Sequence, residues 1–331
     1  MSEEEICVTI KGIGSYVPER VLTNDDLSKI VDTTDEWIRT RTGIEERHIA
    51  AADEATSDLC VHAAKAAIED AKIKREEIDL IIVGTVSPDV LTPATAAFVQ
   101  HKLGLANIPC FDFGSACSGF QYGLEIARSM LLIPKYRNIL LICGDKLSAI
   151  TDWSDRATCV LFADGAGAVV LSRERGDQSG VVDVLLGSDG AHSGVVYVPA
   201  GGSREPASER TILERRHYFK MDGRELFKLA VQKMCDAIAE MLERNGLAMD
   251  EISHVVTHQA NIRIMDAVAD RLNIPREKMR ITLDKFGNTS ASSVILAIDY
   301  YRKAGIISRG ELILTAGFGA GLTWGSAIIR L

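Results

Sequence analysis

Residues 110–120 read CFDFGSACSGF, and residues 283–293 read LDKFGNTSASS. In each, Phe-Gly precedes small residues and then a helical pattern. Phe113 and Phe286 lie 173 residues apart, as do Gly114 and Gly287. The same step relates ILLICGD (Ile139–Asp145) to LILTAGF (Leu312–Phe318), pairing Gly144 with Gly317. Upstream, DLIIVGT (Asp79–Thr85) and SHVVTHQ (Ser253–Gln259) each follow a helix-like stretch. Ile78 and Ile252 there are 174 apart. Several matches at one offset identify an internal repeat. The boundary it predicts separates residues 1–175 from residues 176–331.

Each half alternates apolar runs with helical patterns, which predicts α/β layers with mainly parallel strands. Expected strands in the first half are Ile6–Ile10, Leu80–Val83, Ile108–Asp112, Ile139–Cys143 and Ala168–Leu171. The second half offers Val181–Leu186, His254–Val256, Met279–Leu283, Glu311–Ala316 and Ser326–Arg330. Gly187–Arg215, rich in Gly, Ser, Pro and charge, reads as a surface loop. Phe120, Leu124, Ala127 and Leu131 recur at helical spacing, as do Val294, Ala297, Ile298 and Tyr301. The repeat makes these two helices equivalent and predicts that they pack near a pseudo-twofold axis. The strand-end loops of both halves then converge on one site.

The chain has 331 residues, 47 % hydrophobic and 25 % charged, which fits a globular protein and excludes wholesale disorder. Its net charge of −9 disfavours nucleic acid, whose phosphates need a field of Lys and Arg. An acidic partner requires a local basic patch. The seven cysteines are odd in number and form no C-x-x-C pair, which argues against a disulfide framework or a zinc cluster. The start, MSEEEICVTI, is acidic where a secretory signal is basic. No apolar run reaches the roughly 18 residues of a membrane span. These features predict a soluble cytoplasmic protein with reduced thiols and no membrane contact.

Three side chains stand out as candidates for chemistry. Cys117 sits in a strand, tight turn, helix sequence among Gly114, Ser115, Ala116, Ser118 and Gly119. Small neighbours permit a sharp turn that exposes the side chain, and a helix N-terminus favours thiolate. A buried structural cysteine is the alternative. His258 ends an apolar strand at its C-terminal end, where catalysis usually occurs, or is a hydrogen-bonded structural histidine. His254, inside the apolar run, reads as structural. Asn288, in KFGNTSASS, suits a turn or cap, and the repeat also places it at the turn corresponding to that of Cys117. Gly12-Ile13-Gly14 lacks the spacing of a dinucleotide fingerprint, and no Walker A motif occurs. Gly317-Phe318-Gly319-Ala320-Gly321 ends a strand facing the same site, and its backbone N–H groups suit an oxyanion hole.

GSACSGF around Cys117, HQAN from His258 and GNTSASS around Asn288 together resemble the thiolase-superfamily condensing enzymes. Among these the similarity is greatest to the β-ketoacyl-acyl-carrier-protein synthase III family. It spans essentially the whole chain, including DEWIRTRTGIEERHIA (Asp35–Ala50), SDRATCVLFADGAGAVVL (Ser154–Leu171) and GFGAGLTWGSAIIR (Gly317–Arg330). The resemblance implies an α/β fold, the duplicated αβαβα five-layer sandwich of thiolases. It also implies a decarboxylative Claisen condensation that initiates fatty acid synthesis. Cys117 would take the acyl group from an acyl-CoA primer. His258 and Asn288 would donate hydrogen bonds to the thioester carbonyl of malonyl-acyl-carrier protein. The N–H groups of Cys117 and Ala320 would hold the tetrahedral oxyanion, Ala320 standing where the family usually has glycine. Trp37, Arg41, Arg156 and Asn261 would bind CoA. Lys228, Arg263 and Arg271 would dock the acidic carrier protein. Thr92 and Phe318 would line the acyl pocket, Thr92 across a homodimer interface, where its small side chain would admit longer or branched primers. No cofactor is implied, since the CoA thioesters are substrates.

Within the superfamily, Cys-His-His would indicate an elongating synthase and a second C-terminal cysteine a thiolase, whereas Asn288 and GFGAG show neither. A 3-hydroxy-3-methylglutaryl-CoA synthase carries Glu after the Gly-Thr of the second strand, where this chain has Val86. Divergent relatives that make secondary metabolites or biotin precursors keep similar motifs and stay open as an alternative. Cys…His…Asn is also the chain order of papain-like thiol hydrolases. That family's flanking motif is missing here, and it leaves the repeat unexplained. A non-catalytic thiolase-fold binding protein would have no need of Cys117, His258 and Asn288 together.

Overall fold

The computed structural model describes residues 6–176 and 180–331, so the acidic start MSEEE lies outside the described residues. Nine strands form two sheets. The first holds Ile6–Tyr16 (β1), Leu80–Gly84 (β2), Cys110–Phe113 (β3), Asn138–Lys146 (β4) and Asp164–Arg175 (β5). The second holds Gly180–Ser188 (β6), His254–Thr257 (β7), Leu312–Gly319 (β8) and Thr323–Arg330 (β9). Their spatial orders are β1-β5-β4-β2-β3 and β6-β9-β8-β7. The first four positions, β1-β5-β4-β2, correspond to β6-β9-β8-β7, while β3 has no counterpart strand; β2, β4 and their counterparts β7, β8 are the segments matched by the sequence repeat.

The central strands are continuous apolar runs because both of their faces are covered. Leu80 and Ile82 face one core while Ile81 and Val83 face another. In β4, Ile139, Leu141 and Cys143 alternate with Leu140 and Ile142 between the same two cores. This period-two alternation stacks five layers. The helices Thr56–Ala71 and Thr95–Lys102 cover the outer face of the first sheet. The helices Gly119–Leu131 and Ser292–Lys303 lie between the sheets, with Phe120, Leu124, Ala127, Leu131, Val294, Ala297 and Ile298 in one shared core. The helices Gly223–Asn245 and Ile262–Arg271 cover the second sheet. This is the αβαβα arrangement that the resemblance implies. The two central helices meet where Gly119 faces Ala291.

The sheets are mixed rather than mainly parallel. β2 runs parallel to β3 and β4, and β7 parallel to β8. The other pairs are antiparallel. β8 and β9 are joined by the loop 320–322, which is too short for a parallel crossover. Met279–Leu283 is not a strand either, apart from one bridge between Met279 and Val255. Part of its backbone is satisfied by side chains instead. The Tyr301 hydroxyl donates to Ile281 O at 2.6 Å, and Gln259 bonds Arg280 O at 3.2 Å and Thr282 N at 2.9 Å. A segment whose polar groups are already paired needs no ladder.

Gly12 and Gly14 have a packing role. A Cβ at either would overlap the Ala67 backbone, so their absence of side chain lets β1 lie directly on the Thr56–Ala71 helix. The 187–215 region is more than surface loop. It holds Val196–Tyr197, which pairs with Lys220–Met221, and the helix Glu209–Leu213. Val196, Ala200 and Thr211 are buried. Among the described residues no helix is long and apolar enough to cross a membrane.

Candidate active site

A cleft of about 690 Å³ opens where the strand-end loops of both halves meet. Cys117, His258 and Asn288 all line it, each delivered by a different element.

Cys117 follows β3 in a single 3-10 turn, Ala116–Ser118, immediately before the Gly119–Leu131 helix. Ala116 there has φ 46°, a left-handed conformation uncommon for residues other than glycine. The turn that the small residues predict is thus a tight one that holds Cys117 at the cleft. The cysteine is partly exposed, yet crowding by protein pushes its thiol up to about 12. Burial is the largest influence on the thiol, so the resting side chain is a thiol rather than the thiolate expected from the turn alone.

His258 leaves the end of β7, its N–H donating to Ala316 O at 2.7 Å. Burial pushes its imidazole down to about 4, so the ring is neutral at physiological pH. Nδ1 lies 2.8 Å from Ser293 Oγ, which also accepts from Gln259 N at 3.2 Å. With the Ser293 hydroxyl donating to Nδ1, the ring hydrogen stands on Nε2, the tautomer in which the ring offers a donor at its other nitrogen. His254 is structural, as read. It sits between Arg280 and Glu311, with Nε2 3.0 Å from Glu311.

Asn288 is held by its backbone. Its N–H donates to Leu161 O at 3.0 Å, and its carbonyl accepts from Ala163 N at 2.9 Å. Its Oδ1 accepts from Ser290 N at 2.9 Å, which turns the amide nitrogen free as a donor. Phe318 and Ala320 also line the cleft. Gly319 between them presses on the cysteine turn, where a Cβ would stand 2.5 Å from Cys117 N. Only a residue without a side chain brings the two backbone segments this close.

At the cleft mouth, Trp37 and Arg41 come from the Asp35–Thr42 helix, whose Thr34 cap accepts from Trp37 N at 3.1 Å. The guanidinium groups of Arg41 and Arg156 stand 4.5 Å and 4.7 Å from the centre of the Trp37 ring. Asn261 caps the Ile262–Arg271 helix and lines the cleft as well. Lys228, Arg263 and Arg271 are exposed outside the cleft on two packed helices. Arg263 donates to Thr40 O at 3.0 Å, which ties it to the helix carrying Trp37. Thr92 is exposed and stands apart from the cleft of this chain.

Sequence reasoning missed much of the apolar lining. Val196, Phe219, Met221, Leu226 and Met234 belong to it. Their signal was the run of large apolar residues in 219–234 that borders the polar 187–215 region. Ser290, two residues after Asn288 and also lining the cleft, holds a left-handed backbone at φ 57°.

The 3-oxoacyl-[acyl-carrier-protein (ACP)] synthase III family model matches residues 111–190, and the model of that family's C-terminal part matches residues 242–331. A β-ketoacyl-[acyl-carrier-protein] synthase III of Caldanaerobacter subterraneus subsp. tengcongensis is 50 % identical over 327 residues, covering 99 % of this chain and 98 % of that one. The crystal structure of 3-oxoacyl-[acyl-carrier-protein] synthase III from Aquifex aeolicus VF5 superposes with a TM-score of 0.90 at 44 % identity, covering 98 % of this chain and 100 % of that one. The priming β-ketosynthase of the R1128 polyketide biosynthetic pathway gives a TM-score of 0.91 at 33 % identity, covering 100 % of this chain and 98 % of that one.

Proposed function

The chain belongs to the 3-oxoacyl-[acyl-carrier-protein] synthase III family, and on that premise we propose how its cleft carries out the reaction. The protein is an acyltransferase, a condensing enzyme that initiates fatty acid synthesis. Its substrates are an acyl-CoA and malonyl-acyl-carrier protein. The observation that carries the site assignment is the meeting of Cys117, His258 and Asn288 in one apolar cleft whose mouth bears Trp37 under two guanidinium groups.

Trp37 and Arg156 take the CoA base, with Arg41 facing phosphate, because an indole stacks on a base and a guanidinium matches phosphate. Asn261 contacts the pantetheine arm from its helix cap. The Cys117 sulfur attacks the thioester carbonyl, and CoA leaves. The adjacent N–H groups of Cys117 and Ala320 hold the oxyanion, whose charge exists only during transfer. Malonyl-acyl-carrier protein then enters. Nε2–H of His258 and the Asn288 amide donate to its thioester carbonyl. Loss of CO₂ leaves an enolate that these two donors stabilise. The enolate carbon attacks the acyl-cysteine, giving β-ketoacyl-acyl-carrier protein and free Cys117. Both substrates arrive as activated thioesters, so the chemistry calls for no cofactor. Phe318 packs at the acyl end of the cleft, and Lys228, Arg263 and Arg271 form the docking face for the acidic carrier protein.

The enzyme works as a cytoplasmic homodimer built from two related halves, 1–175 and 176–331. β3 lies at the edge of its sheet, and nearby Leu91 is 87 % exposed. A second copy on that edge covers both and carries Thr92 toward the neighbouring acyl pocket, where its small side chain admits longer or branched primers. Turnover of acetyl-CoA alone, with no longer acyl-CoA accepted, would refute that primer range.

The decisive measurement is intact mass after incubation with acyl-CoA, with Cys117→Ser as control. An acyl adduct on the wild type alone, converted to β-ketoacyl product by malonyl-acyl-carrier protein, is expected. No adduct, or an equal adduct on the Ser variant, rejects Cys117 as the acyl carrier.

A further inference from the structure

Among the described residues, the buried polar atoms without a partner include Asp145 Oδ2 and Ser290 Oγ near Cys117. Asp145, at the end of β4, is 1 % exposed. Its Oδ1 is saturated, accepting from Thr85 Oγ1 at 2.8 Å, Val86 N at 2.7 Å, Ser87 N at 3.1 Å and Ser87 Oγ at 3.0 Å. Its Oδ2 has no partner among the described residues, and neither has Ser290 Oγ. A buried carboxylate oxygen and a buried hydroxyl left unpaired are each unfavourable, so their persistence calls for a reason. Cys117 and Ser290 line the same cleft, and the Ser290 hydroxyl lies within reach of the Cys117 thiol and the Asp145 carboxylate without completing a well-aligned hydrogen bond to either. Ser290 also holds a left-handed backbone, φ 57°, where strain often marks a functional position. The hydroxyl hydrogen is thus uncommitted between a thiol and a carboxylate.

We propose that Ser290 relays the proton of Cys117 to Oδ2 of Asp145, which stores it while the cysteine is acylated. In the first half-reaction the Cys117 S–H bond breaks as the sulfur–acyl bond forms. The thiol proton passes to Ser290 Oγ, and the Ser290 proton passes to Asp145. CoA departs as thiolate and is protonated by solvent. In the second half-reaction the enolate carbon bonds to the acyl carbon, and the sulfur leaves as thiolate. Asp145 returns its proton through Ser290, and the resting thiol is restored. Proton and charge balance over the cycle without any further reactant.

The electrostatics suit storage. Burial raises the Asp145 carboxyl, which makes the protonated form attainable. Burial raises the Cys117 thiol and keeps it protonated at rest, and the Asp145 charge adds a smaller push in the same direction. Transfer neutralises that charge at the moment negative charge develops on sulfur. His258 is less suited to this task, because its lowered basicity and Nε2–H make it a donor. Asp145 acts through Ser290 and is therefore a positioning residue.

This proposal rests on Cys117 carrying the acyl group, and its test separates the two. Asp145→Asn keeps the Oδ1 contacts but cannot store the proton, and Ser290→Ala breaks the relay while leaving the Asp145 turn intact. Rapid-quench mass analysis measures acylation by acyl-CoA, and CO₂ release without primer measures malonyl decarboxylation. Both variants are expected to slow acylation about 100-fold more than decarboxylation, the lower range for general base catalysis. Their acylation rate should rise about tenfold per pH unit, as a reaction through preformed thiolate does, while the wild type shows a flatter profile. The infrared difference spectrum of acylated wild type should show a protonated carboxyl band that Asp145→Asn lacks. Acylation and decarboxylation falling together, an unchanged pH profile, or the absence of that band would overturn the relay. A wild type that forms no adduct would instead overturn the proposed function.

Discussion

At the scale of single residues, the site sets nucleophile and donors by burial rather than by charge. His258 titrates near 4 in the folded protein and near 6.5 when free. The unfolded chain therefore binds a proton that the folded chain refuses. Stability contributed by the neutral ring is present above about pH 6.5 and is lost progressively as pH falls from there toward 4. The lowering corresponds to at most ~3 kcal/mol. Denaturant titrations between pH 7 and 4 should show His258→Asn losing less stability than the wild type; parallel pH dependence would contradict a buried neutral ring. Cys117 behaves oppositely, since its raised value leaves a thiol at neutral pH. Its alkylation by iodoacetamide should be slow at pH 7 and accelerate steadily toward pH 10, without the plateau that a low thiol value gives.

At the scale of elements, the catalytic loops are braced by groups remote from the reaction. Arg47, in the short strand Glu46–His48, is fully buried without a carboxylate against it. It donates to Leu22 O at 3.1 Å, Asn24 Oδ1 at 2.8 Å and Val160 O at 2.9 Å. The last contact fixes the segment whose Leu161 and Ala163 hold the Asn288 backbone. Arg47→Met strands three acceptors, and an expected loss of about 3 kcal/mol or more is measurable by chemical unfolding. In the folded fraction decarboxylation should fall more than acylation, because Asn288 is displaced and Cys117 is not. The turn at Cys117 and the strand end at His258 were legible in sequence, since small residues after an apolar run constrain local geometry. Arg47 was not, because its partners come from three separate segments. Nor was the loss of Met279–Leu283 as a strand: its apolar pattern is strand-like, but Gln259 and Tyr301 reach its backbone from elsewhere in the fold. Ser290 and Asp145 stood in quoted motifs, yet only tertiary structure leaves their oxygens unpaired beside one thiol.

At the scale of the whole molecule, the −9 net charge and the two-sheet architecture point to different faces for different partners. The docking face proposed at Lys228, Arg263 and Arg271 is exposed to solvent, so if the carrier protein binds there, screening should weaken binding as salt rises. The opposite requirement holds at the edge of the first sheet. β3 ends that sheet with one side unpaired, and Val90 and Leu91, a few residues before Thr95 and Ala96, whose N–H groups donate to Asp112 of β3, are 45 % and 87 % exposed. An unpaired edge flanked by apolar residues is a template for another strand, which proteins normally cover. A second copy placed there buries apolar surface, so the association should persist at high salt. Leu91→Glu puts a charge into that contact. Sedimentation velocity should show wild-type dimers across salt concentrations and a monomer-shifted variant. If Thr92 of each copy shapes the other's acyl pocket, the variant should also change its preference among primer lengths while its CoA affinity holds. A variant that stays dimeric with unchanged primer preference would place the contact elsewhere and remove Thr92 from the pocket.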